Sequence, residues 1–562
     1  MTSVLVSREH VNEPKSLGES VVAAPAPGSQ RRATRLRVAG PLVLILLVQA
    51  LLSLKQHHFA SEDEALYLYA GHLELVRLFT GATFHAYPLT AYSSYFSGDP
   101  YLYPPLAAVV AAVGGLEGAR ALSLVFMLSS TVLVCGFTRR MFGDLAGVLA
   151  AALFVASSPT LFLGNVAVYD PMAIFLLALS ARLAVTAPDR SGWAGAPMPA
   201  LAGVAAALCG FTGYAGLLFI PSVGLVTLLA SPRNGASAPS DGTDPRGGSD
   251  PPRHPLALRR SLGSPAALRL LSFIGGAAAV SLTILLLIPA LIQGMRASSI
   301  GWTVNASTSP LTSVIAETLW YIGPVLVLSA LGFALLAVGR SPWRVVLLSG
   351  VLLVSGLLAS LYAVHLHTEA SLYELDGFSL VFAVALAGAA VSRLFRWWRG
   401  RAVIPVIAGL LAVLSFAGAT FLANYNWKSE SAFVKTLSSE VQRGKGHYLV
   451  QQAIIPQYYL ASRTLPAQWV STYSFRYTTK TGVEFTGAAA YEIAIEQSYF
   501  SVIALQTGGK SQPLDVAIGK DAHDSGLYRE RIVRSTASEV GWRIWTLRAM
   551  SPASDQVRSK AR

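Results

Sequence analysis

Residues 38–54 form the first of a series of apolar runs. A polar, Pro- and Ser-containing stretch over 1–37 precedes it and ends in Arg31, Arg32, Arg35 and Arg37. Further apolar runs follow at about 104–116, 120–138, 144–163, 170–187, 197–210, 213–230, 267–292, 318–339, 343–364, 374–392 and 402–423. A bilayer core of ~30 Å needs ~20 helical residues. The run 104–116 has only thirteen and opens on Pro104-Pro105. Charge gives a second criterion, because short cytoplasmic loops collect Lys and Arg. If 104–116 crossed the membrane, Arg139 and Arg140 would fall outside and every later basic loop would invert. With 104–116 at the surface, the basic residues of 31–37, 139–140, 233–260, 340–344 and 393–401 all share the inner side. The pattern predicts eleven spans, a juxtamembrane helix at 104–116 and a cytoplasmic N-terminus. The long polar lead has no small-residue cleavage site, so the first span is expected to be uncleaved.

Two polar stretches divide the chain further. Residues 231–266, rich in Pro, Gly, Ser, Asp and Arg, read as a disordered cytoplasmic loop inside a membrane domain spanning 38–424. The apolar pattern stops near Asn424, and 425–562 have ordinary soluble composition. Strands are expected at 448–455, 469–477 and 499–504, and helices at 431–441 and 488–496. An odd number of spans puts this α/β or α+β domain outside. The predicted fold class is a polytopic α-helical membrane protein with an extracytoplasmic C-terminal domain, located in the plasma (inner) membrane. No internal repeat is visible, which argues against a transporter built on inverted repeats.

Composition sharpens this reading. The chain has 562 residues, 53% hydrophobic and 13% charged, about half the charge of a soluble domain. A soluble globular enzyme and a disordered chain are both excluded. The net charge of +13 is topological rather than a nucleic-acid footprint. Cys135 and Cys209 lie in apolar stretches and read as buried free thiols.

The topology gathers candidate chemistry on the outer face. The segment after the first span holds Lys55, His57, His58 and the acids Glu62, Asp63 and Glu64, ahead of a helical pattern suited to the membrane surface. Tyr101, Tyr103 and Pro104 follow, then Tyr169-Asp170-Pro171, Arg296, and the stretch His365-Leu366-His367 up to Glu374 and Asp376. Three acids at a helix start also suit its dipole, and Asp-Pro also suits an ordinary helix start. The tyrosines suit either a substrate groove or an interfacial belt. Boundary carboxylates are costly unless solvated or paired, so their concentration on one face marks a candidate site.

Several motifs occur in a telling order: Asp63-Glu64-Ala-x-Tyr67, Tyr103-Pro104-Pro105-Leu106, Gly118-Ala119-Arg120-x-Leu122-Ser123, Arg139-Arg140-Met141-Phe142-Gly143 and Tyr169-Asp170-Pro171. In these the chain resembles GT-C-type glycosyltransferases of the family that includes protein O-mannosyltransferases and bacterial aminoarabinose lipid A transferases (glycosyltransferase family 39-like). The resemblance covers roughly residues 40–190. It implies sugar transfer from a polyprenyl-phosphate donor to an acceptor hydroxyl on a lipid, polysaccharide or protein, usually with inversion.

By that motif Asp63 takes the acceptor proton, Glu64 assists or holds the local fold, and Asp170 orients the acceptor or a metal ion. The departing lipid phosphate requires positive charge. Arg296, which can grip two oxygens, is the first candidate, followed by Lys55, His365 and His367. Relatives carry a basic residue near the start of a late span, where this chain has Glu374 and Asp376. A divalent metal on Asp63, Asp170 and His365 would compensate, and the metal is left unassigned. Tyr101, Tyr103, Pro104 and Tyr169 would line the substrate groove. The competing readings are a lipid or polysaccharide flippase, and a non-catalytic envelope-assembly protein.

Overall fold

A computed structural model describes residues 27–54, 58–82, 102–186, 196–230, 265–289, 291–292, 309–339, 341–369, 371–397, 403–424, 429–472, 475–507, 513–534 and 540–548. Helices come first: α1 (Pro27–Ser53), α2 (Glu62–Thr80), α3 (Tyr103–Phe142), α4 (Asp144–Ala156), α5 (Ser158–Leu163), α6 (Asp170–Thr186), α7 (Pro197–Thr212) and α8 (Ile220–Leu229). A 3-10 turn at Tyr214–Phe219 leads into α8. Then follow α9 (Pro265–Leu287), α10 (Leu311–Val338), α11 (Trp343–Leu366), α12 (Leu372–Trp397) and α13 (Val403–Asn424). Among the described residues, α3, α9, α10, α11 and α12 are long and apolar enough to cross a membrane by length and composition.

Two breaks have local causes. Within α3, Gly115 sits at φ 62°, ψ −158°, a conformation essentially restricted to glycine. The run 104–116 therefore parts from 120–138 at this residue. The run 144–163, expected as one span, is two helices. Ser157 between them is extended (φ −77°, ψ 135°), because Pro159 in the first turn of α5 has no N–H to continue the preceding ladder.

The bundle is built around α12, which is buried continuously from Leu375 to Ser392. It packs on α10, α11 and α4, so its apolar run from Leu380 to Val391 has protein on every side.

The C-terminal region adds α14 (Ser431–Glu440), β1 (His447–Val450), α15 (Ile454–Tyr459), β2 (Trp469–Val470), β3 (Arg476–Thr478), β4 (Glu484–Thr486), α16 (Ala488–Glu496), β5 (Phe500–Thr507), α17 (Pro513–Asp524), β6 (Tyr528–Val533) and β7 (Gly541–Leu547). Five strands form one mixed sheet in the order β2-β1-β5-β7-β6. The pairs β2–β1 and β1–β5 are parallel, and β5–β7 and β7–β6 antiparallel. The strand expected at 448–455 ends at Val450, and the chain turns into α15.

Helix α2 lies between the bundle and this sheet region. Ala60 and Ala65 share a core with Phe433, Leu437, Tyr448 and Trp542. Leu66 and Ala70 pack with Ile454, Phe59 stacks on Tyr459 at 4.1 Å, and the Ala60 N–H donates to the Tyr459 hydroxyl at 3.0 Å. On the other side α2 meets α3 so closely that a Cβ at Gly71 would lie 1.9 Å from the Pro104 carbonyl oxygen. That obstacle is backbone. Gly71→Ala should therefore force the helices apart and destabilise the protein by about 1–3 kcal/mol or more, read as a lower melting temperature in detergent. An unchanged melting point would refute this close approach.

Candidate active site

Ser61 starts α2 with a reciprocal cap: its Oγ accepts from the Glu64 N–H at 3.3 Å, and Glu64 Oε2 accepts from the Ser61 N–H at 3.0 Å. This capping box fixes the first turn and sends its acids in different directions. Glu64 points inward and is fully buried. Arg120 of α3 grips it with two bonds, Nε to Oε1 at 2.8 Å and Nη2 to Oε2 at 2.9 Å. Arg120 also donates to the His58 carbonyl at 3.0 Å and to Glu117 Oε1 at 2.9 Å. The Ala167 N–H donates to Glu64 Oε1 at 2.9 Å, tying the loop before α6 to α2. Burial raises the Glu64 pKa, but the hydrogen-bonded charge of Arg120 more than offsets it and leaves Glu64 below its ordinary value.

Asp63, the neighbouring residue, remains accessible. Protein surrounds its carboxylate closely enough that desolvation, helped by the charge of Glu64, pushes its pKa up to about 6. Asp170, in the first turn of α6, is 5% exposed. Glu374 is half-buried in the first turn of α12, with hydrogen bonds from Ser371 and Tyr373. The charge of Asp63 acts on Asp170, and both act on Glu374, so three carboxylates from three elements meet in one electrostatic neighbourhood. Tyr67, one turn after Asp63, lies in the same field and meets Tyr169 edge-on at 5.3 Å and Tyr103 at 6.2 Å.

Of the remaining sequence candidates, Tyr103 and Tyr169 stay next to Tyr67. Tyr103 and Pro104 are buried beneath α2, with the Tyr103 hydroxyl 3.2 Å from Ser123 Oγ. Tyr169 is half-buried against Tyr67. His365 and His367 are exposed at the C-terminal end of α11, where His367 takes the left-handed cap position (φ 49°). Lys55, His57, Tyr101 and Arg296 lie outside the described residues. Among the described residues, no three His, Cys, Asp or Glu side chains stand together as a cation's ligands. The set Asp63, Asp170 and His365 is thus not assembled for a metal. Glu374 is the site residue that the sequence reading did not select. Its signal was present as an acid in the first turn of a late span, at the position where a basic residue was sought.

No protein-family model and no curated protein matches the chain. Solved structures do. The apo oligosaccharyltransferase of Archaeoglobus fulgidus aligns with TM-score 0.51 and 11% identity over 90% of this chain and 74% of that one. The same enzyme in complex with Zn and sulfate gives 0.50 and 12%, over 89% and 72%. ArnT from Cupriavidus metallidurans bound to undecaprenyl phosphate gives 0.40 and 12%, over 90% and 98%. The likeness to the oligosaccharyltransferase is one of fold: the chain has the GT-C fold of membrane glycosyltransferases.

Proposed function

We propose that this protein transfers a sugar, hexose or pentose, from a polyprenyl-phosphate donor to an acceptor hydroxyl, with inversion, at the membrane face that carries α2. The observation that carries the reading is the division of labour at the start of α2. Glu64 is consumed by Arg120, Ala167 and Ser61, while the adjacent Asp63 is left accessible beside Asp170 and Glu374. The GT-C fold supports glycosyl transfer as the reaction class. In this reading α2 and the C-terminal region lie on the extracytoplasmic side of the plasma membrane, and the N-terminus lies in the cytoplasm.

The acceptor oxygen attacks the anomeric carbon as that carbon's bond to the phosphate oxygen breaks. Polyprenyl phosphate leaves with the electron pair, and the acceptor's proton passes to Asp63. A carboxyl group with a pKa of about 6 is ionised at neutral pH yet more basic than an ordinary aspartate, which suits a general base. Asp170 and Glu374 accept hydrogen bonds from sugar or acceptor hydroxyls and orient them. The described residues offer no metal ligand set, although the oligosaccharyltransferase of like fold was solved with zinc. In this proposal Arg296, Lys55, His365 and His367 are the candidates for the charge on the leaving phosphate, beside a divalent metal.

Purified protein supplied with short-chain polyprenyl-phosphate sugars should release polyprenyl phosphate. The Asp63 pKa lies above the ordinary value, so its base form is lost as the pH falls through about 6. Below that pH the rate should drop about tenfold per unit, and above it the rate should level off. A flat profile between pH 5 and 8 would remove Asp63 as the base. No release from any hexosyl or pentosyl donor would overturn the reading.

A further inference from the structure

A cleft of about 540 Å³ opens between α17 and the β5, β6 and β7 part of the C-terminal sheet, within the size range of ligand sites. It lies at the carboxyl end of β5, the strand where parallel pairing gives way to antiparallel pairing. The crevice beyond the carboxyl ends of strands is where open α/β sheets bind ligands. Its lining mixes acceptors and donors. Asp515, 6% exposed, accepts from Gln451 Nε2 at 2.9 Å. Glu530 lies 4.0 Å from Arg543 Nε, and Lys520 stands on the exposed side of α17. Trp545, 2% exposed, gives the cleft an aromatic floor. Gly519 faces the ring edge: a Cβ there would lie 3.5 Å from Trp545 Cη2 and 3.4 Å from Leu505 Cδ1, so the glycine leaves space without being forced by backbone strain.

We infer that this cleft is a second binding site, distinct from the carboxylate cluster near Asp63, and that it holds a neutral saccharide chain. The chemistry selects that class. A hydroxyl both donates and accepts, and so matches carboxylates interleaved with Lys and Arg. A phosphate would be repelled by Asp515 and Glu530, and a wholly apolar ligand would match only Leu505, Val516, Gly519 and the Trp545 ring. That the saccharide is the acceptor rests on the transferase reading, whereas binding itself does not.

The test uses the full chain in detergent and a panel of neutral manno-, gluco-, galacto- and arabino-oligosaccharides, with a neutral tetrapeptide and inorganic phosphate as controls. Binding is read by calorimetry. At least one oligosaccharide should bind, and Gly519→Leu, which fills the cleft, should weaken it at least 10-fold. Lys520→Ala, at an exposed position, should weaken it measurably. Melting temperatures of both variants show that the fold persists. Binding of no oligosaccharide, binding unaffected by both variants, or preference for the peptide or phosphate would each overturn the inference. Retained polyprenyl-phosphate release in those cases would leave the transferase reading intact. Saccharide binding that survives in a protein with no release activity would uphold the cleft and sink that reading instead.

Discussion

Asp63→Asn should reduce polyprenyl-phosphate release by about 10²–10⁴-fold, the range that a positioned general base contributes, and leave folding intact. The side chain keeps its shape and loses only its proton-accepting charge. The contacts that hold the first turn of α2 belong to Ser61, Glu64 and Arg120, and none of them involves Asp63. Donor binding should survive, so the loss appears in turnover rather than in affinity. A melting temperature equal to that of the parent protein, together with abolished release, is the expected pair of results. Normal release by the variant would remove Asp63 from the reaction.

Arg120→Ala should have the largest effect on stability. It leaves the Glu64 carboxylate fully buried and without its two-pronged partner, and breaking one side of a buried pair costs about 3–5 kcal/mol. The damage spreads because the guanidinium also holds the His58 carbonyl and Glu117. Thermal melts in detergent should show a large drop. Glu64→Gln, which still accepts from Ala167, should lose less. Replacing the pair with apolar residues of similar volume, Glu64→Leu with Arg120→Met, should recover part of the loss. Equal stability of Arg120→Ala and the parent would show that the pair does not hold α2.

The helical membrane class was legible because apolar runs of bilayer length leave few alternatives, and their edges follow the helices closely, as with 343–364 against Trp343–Leu366. Breaks inside runs were harder to read. Pro104-Pro105 signalled a separate first segment of α3, but the reversal depends on the backbone of Gly115. Pro159 had a similar message that the apolar composition of 144–163 obscured. In the sheet region, 451–455 looked like strand by residue type, but 451–453 turn away from β1 and Ile454 opens α15, which packs on α2. At the site, Asp63 and Asp170 were visible as acids next to spans. The separate roles of Asp63 and Glu64 came from the family resemblance alone, since the partner that holds Glu64 is an arginine 56 positions away. Glu374 joins the cluster only through tertiary proximity, which no local pattern encodes.

Phe59 stacks on Tyr459, and the bond from Ala60 to the Tyr459 hydroxyl spans 399 positions. During synthesis at roughly 5–20 residues per second, α2 would wait about 20–80 s for that partner to leave the ribosome. Its face toward Ala60, Ala65 and Leu66 stays uncovered for that interval. The outer face of α2 is thus among the last parts of the molecule to be covered, and a nascent chain that has inserted all its helices is still an unfinished fold.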